Sequence, residues 1–215
     1  MTKNLLSEQS VLEASKRGAT VLHYEKGTII TTAAQDRARQ LGIKLLEQPK
    51  DVQQPPSPAK VQPSTPEVIA LGSDHGGFAT KEQLKSFIEG LGHKVVDVGT
   101  SSEEACDYPQ FAYAVAKMVS IGEATKGIMV DAVGVASAMV ANKVPGIRAA
   151  CCHNEFSARS SREHNDANVL TLGGRVLGIE LSKAIVKAWL ETPFAAGRHV
   201  KRVEMIKDIE KKWGK

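Results

Sequence analysis

The residues best suited to chemistry in this sequence lie directly after short apolar runs. Asp131 follows the run GIMV (127–130) and opens the segment DAVGVAS, in which Gly134 and Ser137 come close behind it. A carboxylate at the end of a buried strand can act as a general base, and the N–H groups that open a following helix bind phosphate or sugar oxygens. The pattern is equally consistent with a structural role, in which Asp131 caps backbone N–H groups of its own loop.

A second polar group follows the apolar run VIAL (68–71). Asp74 and His75 belong to the segment GSDHGG (72–77), whose glycines let the backbone turn tightly and approach a ligand. The pair offers a hydrogen-bond acceptor and a side chain that titrates near neutral pH. The alternative is that Ser73 or Asp74 caps the next helix and that the histidine is incidental.

Two further polar segments lie nearer the C-terminus. His164 and Asn165 belong to SREHNDAN (161–168), which carries more directional hydrogen-bonding groups than solubility requires, although a solvated loop is the simpler interpretation. Arg198 and Arg202 are four residues apart, so on a helix they share a face and are spaced to bind a phosphate. The alternative for this pair is a basic, solvated helix face.

Alternating strand-like and helix-like segments must position these groups. The predicted strands are 68–71, 93–98, 127–130, 147–152 and 169–172. The predicted helices are 77–90, 109–121, 137–142, 156–163, 177–190 and 199–212. This alternation predicts an α/β fold with a doubly wound parallel sheet of about five strands. Ligands of such sheets bind at the carboxyl ends of the strands, which is where the pattern places Asp74, His75 and Asp131.

The prolines divide the chain. Six of the nine fall within residues 49–66, in a segment rich in Gln and Ser. Such a segment buries too little apolar surface to offset its ordering entropy, so 48–66 is predicted to be an extended linker. It separates a small module (1–47) from a domain of enzyme size (67–215). No internal repeat is apparent. The module is predicted to contain an amphipathic helix within 2–17, then a strand pair and a helix that is capped by Thr31 or Thr32 and ends at Gly42.

Composition excludes several classes of function. The net charge of +4 is too mild for a phosphate-backbone binder, so we expect no nucleic-acid partner. No apolar run approaches bilayer length and no signal-peptide pattern opens the chain, so we expect no membrane partner and a cytoplasmic location. The three cysteines include no CxxC pair, which argues against a zinc site and for reduced thiols.

Six ordered motifs together resemble ribose-5-phosphate isomerase B, a family that also includes the subunits of galactose-6-phosphate isomerase. The resemblance covers 67–212. Its motifs are SDHGGF (73–78), DYP (107–109), ANKV (141–144), GIRAA (146–150), SREHNDANV (161–169) and GRH (197–199).

The resemblance implies a Rossmann-like homodimer, without metal or nucleotide cofactor, that interconverts aldose and ketose phosphates through an enediolate. Ribose 5-phosphate is the leading substrate. His164 would assist ring opening, and the site would lie between two subunits. Asp74 and His75 would also contact the substrate, and Asn165 would hold sugar oxygens. His75, Arg198 and Arg202 would cluster around the phosphate.

The chain departs from the family at one central loop. The common family sequence there is Cys-Gly-Thr-Gly-Ile-Gly, with the thiol as base, whereas residues 131–136 read DAVGVA. This version resembles the A subunit of galactose-6-phosphate isomerase, which pairs with a B subunit that carries the usual base. Two hypotheses follow. Either Asp131 replaces the thiol as base, or the chain is a non-catalytic sugar-phosphate-binding subunit that partners a catalytic paralogue.

The N-terminal module has a shorter resemblance of its own. The segments VLH (21–23), KGTIIT (26–31) and AAQDRARQLGI (33–43) look like a small module on some bacterial microcompartment enzymes. That resemblance implies docking to a microcompartment shell or cargo, and a location inside the compartment. A module on a flexible tether suits such recruitment. The alternative is an extension that packs on its own catalytic domain.

Overall fold

The computed structural model describes residues 4–16, 18–48 and 66–213. Nearly all of the predicted linker 48–66 lies outside these residues. The chain divides into two compact units, with residues 4–48 in the first and residues 66–213 in the second.

The first unit is built from four short strands and two helices. In chain order they are β1 (Leu5–Leu6), α1 (Glu8–Lys16), β2 (Val21–Glu25), β3 (Ile29–Ile30), α2 (Thr32–Gln40) and β4 (Lys44–Gln48). Strand β1 pairs in parallel with β3, and β2 pairs in parallel with β4. The expected strand pair was therefore wrong in its partners, because β2 and β3 belong to different sheets. Thr31 is the N-cap of α2, where its hydroxyl accepts a hydrogen bond from Ala34 N at 3.2 Å.

The two halves of this unit repeat one local structure. Each half has a two-residue strand, a nine-residue helix, a glycine of positive φ and a longer strand. Gly18 has φ +74° and Gly42 has φ +67°, a region that favours glycine. Matching backbone hydrogen bonds close the two helices, from Ala19 N to Ala14 O (3.1 Å) and from Ile43 N to Ala38 O (2.9 Å). The repeat is one of structure and is not apparent in the sequence, because the two halves share few identical residues.

The second unit confirms the predicted sheet. Its strands are β5 (Val68–Ser73), β6 (Lys94–Asp97), β7 (Lys126–Asp131), β8 (Ala149–Cys151) and β9 (Val169–Gly173). All four pairings are parallel and the strand order is β6-β5-β7-β9-β8. Every residue of β5 after Val68, and every residue of β7 and β9, is buried, as expected for strands covered on both faces.

Six helices cover the two faces of this sheet. They are α3 (Phe78–Gly90), α4 (Tyr108–Ser120), α5 (Val135–Ala141), α6 (Glu155–Asn165), α7 (Ile179–Glu191) and α8 (Arg198–Trp213). One core contains Leu71, Ile128 and Trp189, and the other contains Ala70, Val115 and Met129. Side chains that alternate along β5 and β7 thus feed opposite cores.

Two helix boundaries differ from the prediction in a way that matters for function. Helix α5 begins at Val135 rather than at 137, and α6 continues to Asn165 rather than ending at 163. His164 and Asn165 therefore lie in the last turn of a helix, not in a solvated loop. Helix α6 extends this far because Asp166, at φ 48°, ends it in the left-handed region and its backbone N–H bonds the Arg162 carbonyl.

Candidate active site

The carboxylate of Asp131 is buried and fully hydrogen-bonded at the carboxyl end of β7. It accepts hydrogen bonds from Val133 N (2.7 Å), Gly134 N, Ser137 N (3.1 Å) and the Ser137 hydroxyl. A carboxylate has roughly four acceptor positions, so these donors use them all. The loop N–H groups expected to be free for a ligand are therefore bound to the side chain of Asp131. The capping arrangement, which the sequence left open, is present.

The shape of this loop depends on Gly134. Its φ of +88° lies in the left-handed region, and an added Cβ would lie 2.9 Å from the Leu172 carbonyl carbon and 3.0 Å from the Cys151 sulfur. Its carbonyl accepts a hydrogen bond from the Thr171 hydroxyl at 2.7 Å. Of the three glycines in the common family loop Cys-Gly-Thr-Gly-Ile-Gly, the chain thus keeps the one that the backbone conformation requires.

Asp74 and His75 lie beside the Asp131 loop, as the sheet order requires. Asp74 is 5% exposed, donates from its backbone N to Val130 O (3.3 Å) and accepts from Gly77 N at Oδ1 (3.1 Å). It therefore supports the turn into α3, although Gly77 and not Asp74 is the N-cap residue. A Cβ at Gly76 would lie 3.2 Å from the Ala132 Cβ, which shows how closely the two loops pack.

The backbone of Cys106 fixes the ring of His75. Nδ1 of His75 lies 3.1 Å from Cys106 O and 3.2 Å from Cys106 N. Nδ1 can therefore donate to the carbonyl when protonated and accept from the N–H when not. Nε2 of His75 has no hydrogen-bond partner within the described part of the chain, so it is the nitrogen left to meet a ligand.

Arg175 is a basic residue at this edge that the sequence patterns did not single out. It follows β9, its side chain is exposed, and its backbone N donates to Ala132 O at 3.1 Å. The preceding Gly174 N donates to Asp131 O at 2.7 Å. The sequence did offer a signal for Arg175, because it directly follows the Gly173-Gly174 pair that closes a strand.

His164 and Asn165 lie at the opposite edge of the sheet, because α6 returns the chain to where β9 begins. Asp166 holds this helix end. Its carboxylate pairs with Arg148 (2.9 Å) and Arg162 (2.9 Å). Nδ1 of His164 is 3.1 Å from the Ser160 hydroxyl, and the side chain of Asn165 is exposed.

The two arginines predicted to bind phosphate start α8 beside His164. Between Arg198 and Arg202 lies His199, whose ring stacks on that of His164 with centroids 4.4 Å apart and planes 15° apart. Arg198 and Arg202 are exposed, whereas His199 is buried. His199 was missed because a histidine between basic residues is typical of a solvated helix face.

One chain therefore brings the candidate residues together in two groups, not one. Asp74, His75 and Asp131 share the carboxyl edge, and His164 and Arg198 belong to the amino edge. The four residue steps of β9, from Val169 to Gly173, alone separate the two edges by about 13 Å. A single sugar phosphate cannot contact both groups of one chain.

A groove of about 740 Å³ opens at the amino edge. Asn165 and Arg148 line it on one side, and the apolar side chains of Ile206, Ile209 and Trp213 line it along α8. These last three are 43%, 61% and 77% exposed, a continuous apolar surface on a helix. Surfaces of this kind mark contacts with other molecules.

Other chemistries find little support in the described residues. In 4–16, 18–48 and 66–213, no three or more His, Cys, Asp or Glu side chains are placed to hold a metal ion. Over the same ranges, no helix combines the length and apolar content needed to cross a bilayer. Burial raises the pKa of the Cys151 and Cys152 thiols, which disfavours the thiolate form that a base or nucleophile needs.

Comparison with known proteins covers this second unit. The family model described as Ribose/Galactose Isomerase matches residues 69–206. The chain belongs to the ribose/galactose isomerase family.

Three relatives show how closely the chain follows this isomerase family. Ribose-5-phosphate isomerase B of Escherichia coli is 46% identical over 144 residues, which are 67% of this chain and 97% of that protein. Galactose-6-phosphate isomerase subunit LacA 1 of Streptococcus pyogenes is 42% identical over 138 residues, covering 64% and 96%. The solved structure of Clostridium thermocellum ribose-5-phosphate isomerase B is 48% identical with a TM-score of 0.67, covering 68% and 99%. The first unit lies outside the family match.

Proposed function

We propose that the chain is an aldose–ketose isomerase that acts on a sugar phosphate, with ribose 5-phosphate and ribulose 5-phosphate as the leading pair. The observation that carries the proposal is the close packing of the Asp74–His75 loop against the Asp131 loop, within a unit of the isomerase family. This edge offers a carboxylate, an imidazole nitrogen and the exposed Arg175 to one small ligand.

The reaction needs three events. The sugar ring opens, a proton leaves C2 to form an enediolate, and a proton is returned at C1 while the hydroxyl proton passes from O2 to O1. His164 is the proposed acid–base group for ring opening, because its ring is held by Ser160 and is partly exposed. Asn165 would hold sugar oxygens, and Arg198 and Arg202 would bind the phosphate.

Asp131 is the proposed base for the C2 proton, with a condition set by the geometry. All of its acceptor positions are used, so one donor must leave before a proton can be taken. Ser137 Oγ is the one side-chain donor of the four and can rotate away, whereas the three backbone N–H groups are fixed. Ser137 thus becomes part of the proposed proton transfer.

We also propose a homodimer in which each site combines the two edges. The separation of the two residue groups within one chain supports this, because a partner related by twofold symmetry can place its amino edge against the carboxyl edge. The apolar groove along α8 offers surface for such contact. Mass measurement of the purified chain in solution tests the proposal, and a monomer at assay concentrations would contradict it.

The isomerase proposal is tested by assaying the purified chain on ribose 5-phosphate beside tetrose and hexose phosphates. We expect ketose formation, with losses of about 100-fold or more in Asp131→Asn and His164→Ala. Asp36→Asn, in the N-terminal unit, is the matched control and should retain full activity. Absence of turnover on every sugar phosphate would sink the proposal.

The full hydrogen bonding of Asp131 also favours a second candidate function. If the carboxylate only supports its loop, the chain is a sugar-phosphate-binding subunit that completes the site of a paralogue with the Cys-Gly-Thr-Gly loop. Co-expression with such a paralogue should then give a stable heteromer that is active where neither chain is active alone. A homodimer with full turnover would exclude this function.

For residues 1–47 we propose recruitment of a cytoplasmic enzyme to a bacterial microcompartment shell or its cargo. The support is a separate compact unit outside the isomerase match, with the exposed apolar side chains of Leu5 and Ile29 side by side on paired strands. Deletion of residues 1–65 should leave turnover intact and abolish co-localisation with shell protein. Unchanged localisation of the truncated chain would reject recruitment.

A further inference from the structure

His199 occupies the centre of a cluster formed where α6 and α8 meet. It is 7% exposed, whereas the side chain of His164 on which it stacks is 44% exposed. His199 is therefore the inner ring of the stack, and His164 is the outer ring that a ligand can reach.

The same inner ring contacts both phosphate-binding candidates. Arg198 Nε lies 3.4 Å from Nε2 of His199, and an Arg202 Nη lies 3.5 Å from Nδ1. One imidazole thus lies between two exposed guanidinium groups and against the ring of His164. Losing it would free all three side chains at once.

The backbone places His199 independently of these side-chain contacts. The turn before α8 has two consecutive residues in the left-handed region, Ala196 at φ 51° and Gly197 at φ 53°. Ala195 N donates to Glu163 O at 3.1 Å, which ties this turn to α6, and His199 N donates to Ala196 O at 3.0 Å. Residue 199 is consequently fixed relative to His164.

The surroundings of His199 favour its neutral form. Burial first, and then the charges of His164, Arg198 and Arg202, lower the pKa of His199, while Glu163 opposes them. A neutral ring can stack on His164 and lie beside two guanidinium groups without adding a further positive charge.

We propose that His199 is a positioning residue that orients the ring of His164 and spaces Arg198 and Arg202, so that the ring-opening and phosphate-binding groups form one rigid unit. What this unit acts on rests on the proposed isomerase function. The arrangement itself does not.

Kinetics of substituted chains give the first test. In His199→Ala we expect KM to rise and kcat to fall, each by about 3- to 10-fold, from loss of the aromatic contact. His199→Phe keeps a neutral ring and should stay within about threefold of wild type. His153→Ala, which removes an exposed imidazole outside the cluster, is the control. If His199 were purely structural, its substitution would change the yield of folded protein but leave KM and the pH dependence of turnover unchanged. That result would overturn the proposal.

A second test needs no turnover. Histidine ring signals of the full chain are followed by NMR as a function of pH, with and without inorganic phosphate. We expect His199 to titrate below its ordinary range, and phosphate to raise that value because the anion offsets Arg198 and Arg202. Arg202→Gln should weaken the response. If this holds while no sugar phosphate is turned over, the proposed function fails and the positioning role stands. A His199 that titrates normally and ignores phosphate refutes the positioning role even in an active enzyme.

Discussion

Subunit complementation is the sharpest consequence of the two separated residue groups. Asp131→Asn damages the carboxyl edge and His164→Ala damages the amino edge, and each chain alone should be inactive. In a mixed dimer, the carboxyl edge of the His164→Ala chain meets the amino edge of the Asp131→Asn chain, and both are intact. One of the two sites is therefore restored. The isolated mixed dimer should therefore show about half of wild-type activity, and an unfractionated equal mixture, in which half of the dimers are mixed, about a quarter.

The assay co-expresses the two chains with different affinity tags, isolates the doubly tagged species and measures ketose formation. A pair damaged at the same edge, His164→Ala with Arg202→Ala, is the matched control and should restore nothing. Recovery in the control pair, or no recovery in the test pair despite a confirmed mixed dimer, would refute the shared site. The expected complementation depends on the roughly 13 Å that β9 imposes between its ends, because no single-chain site can include both lesions.

Three further outcomes concern stability and pH, each measured by urea unfolding. Gly77→Ala should lower the free energy of unfolding by about 3 kcal/mol, because the added Cβ collides with the Val130 carbonyl. In the control Gly90→Ala the added Cβ meets no neighbouring atom, so the free energy of unfolding should change by less than about 1 kcal/mol. Equal effects of the two substitutions would contradict the packing. Asp166→Ala should cost about 3 kcal/mol by leaving two arginines unpaired, and Asp166→Asn should cost less because Asn tolerates the left-handed backbone. Burial raises the pKa of Asp97, but hydrogen bonds from Lys81 and Gly99 N outweigh it and lower the pKa on balance. The stabilisation that Asp97 provides is therefore present above the ordinary carboxyl pKa and is lost as pH falls through the lower pKa of the folded state. Lys81→Met should remove most of this dependence of the unfolding free energy on acid pH. An unchanged pH dependence in Lys81→Met would argue against the Lys81–Asp97 pair.

Short apolar runs were enough to place the five strands of the large unit. The signal is strongest in β5, β7 and β9, which are buried on both faces. The site was harder to predict for physical reasons. Four donors converge on Asp131 only once Gly134 adopts its left-handed conformation, and no residue spacing encodes that closure. His199 is similar, since it is buried by packing against His164 of α6, a contact that the local pattern of α8 does not state. Asp131 and His164 lie at opposite edges of the sheet because of the direction of α6. The alternation of strands and helices implies that direction, but no single motif states it.

The repeated halves of the N-terminal unit have a consequence for how two chains can become linked. Each half contributes one strand to each small sheet, so neither half completes a sheet within itself. If the short connection between Glu25 and Ile29 opened, the first half of one chain could pair with the second half of another and rebuild both sheets. Exchange of this kind creates dimers with no new type of contact. The strand pairing thus makes an exchange of halves between two chains geometrically possible, separate from any contact made by the isomerase unit.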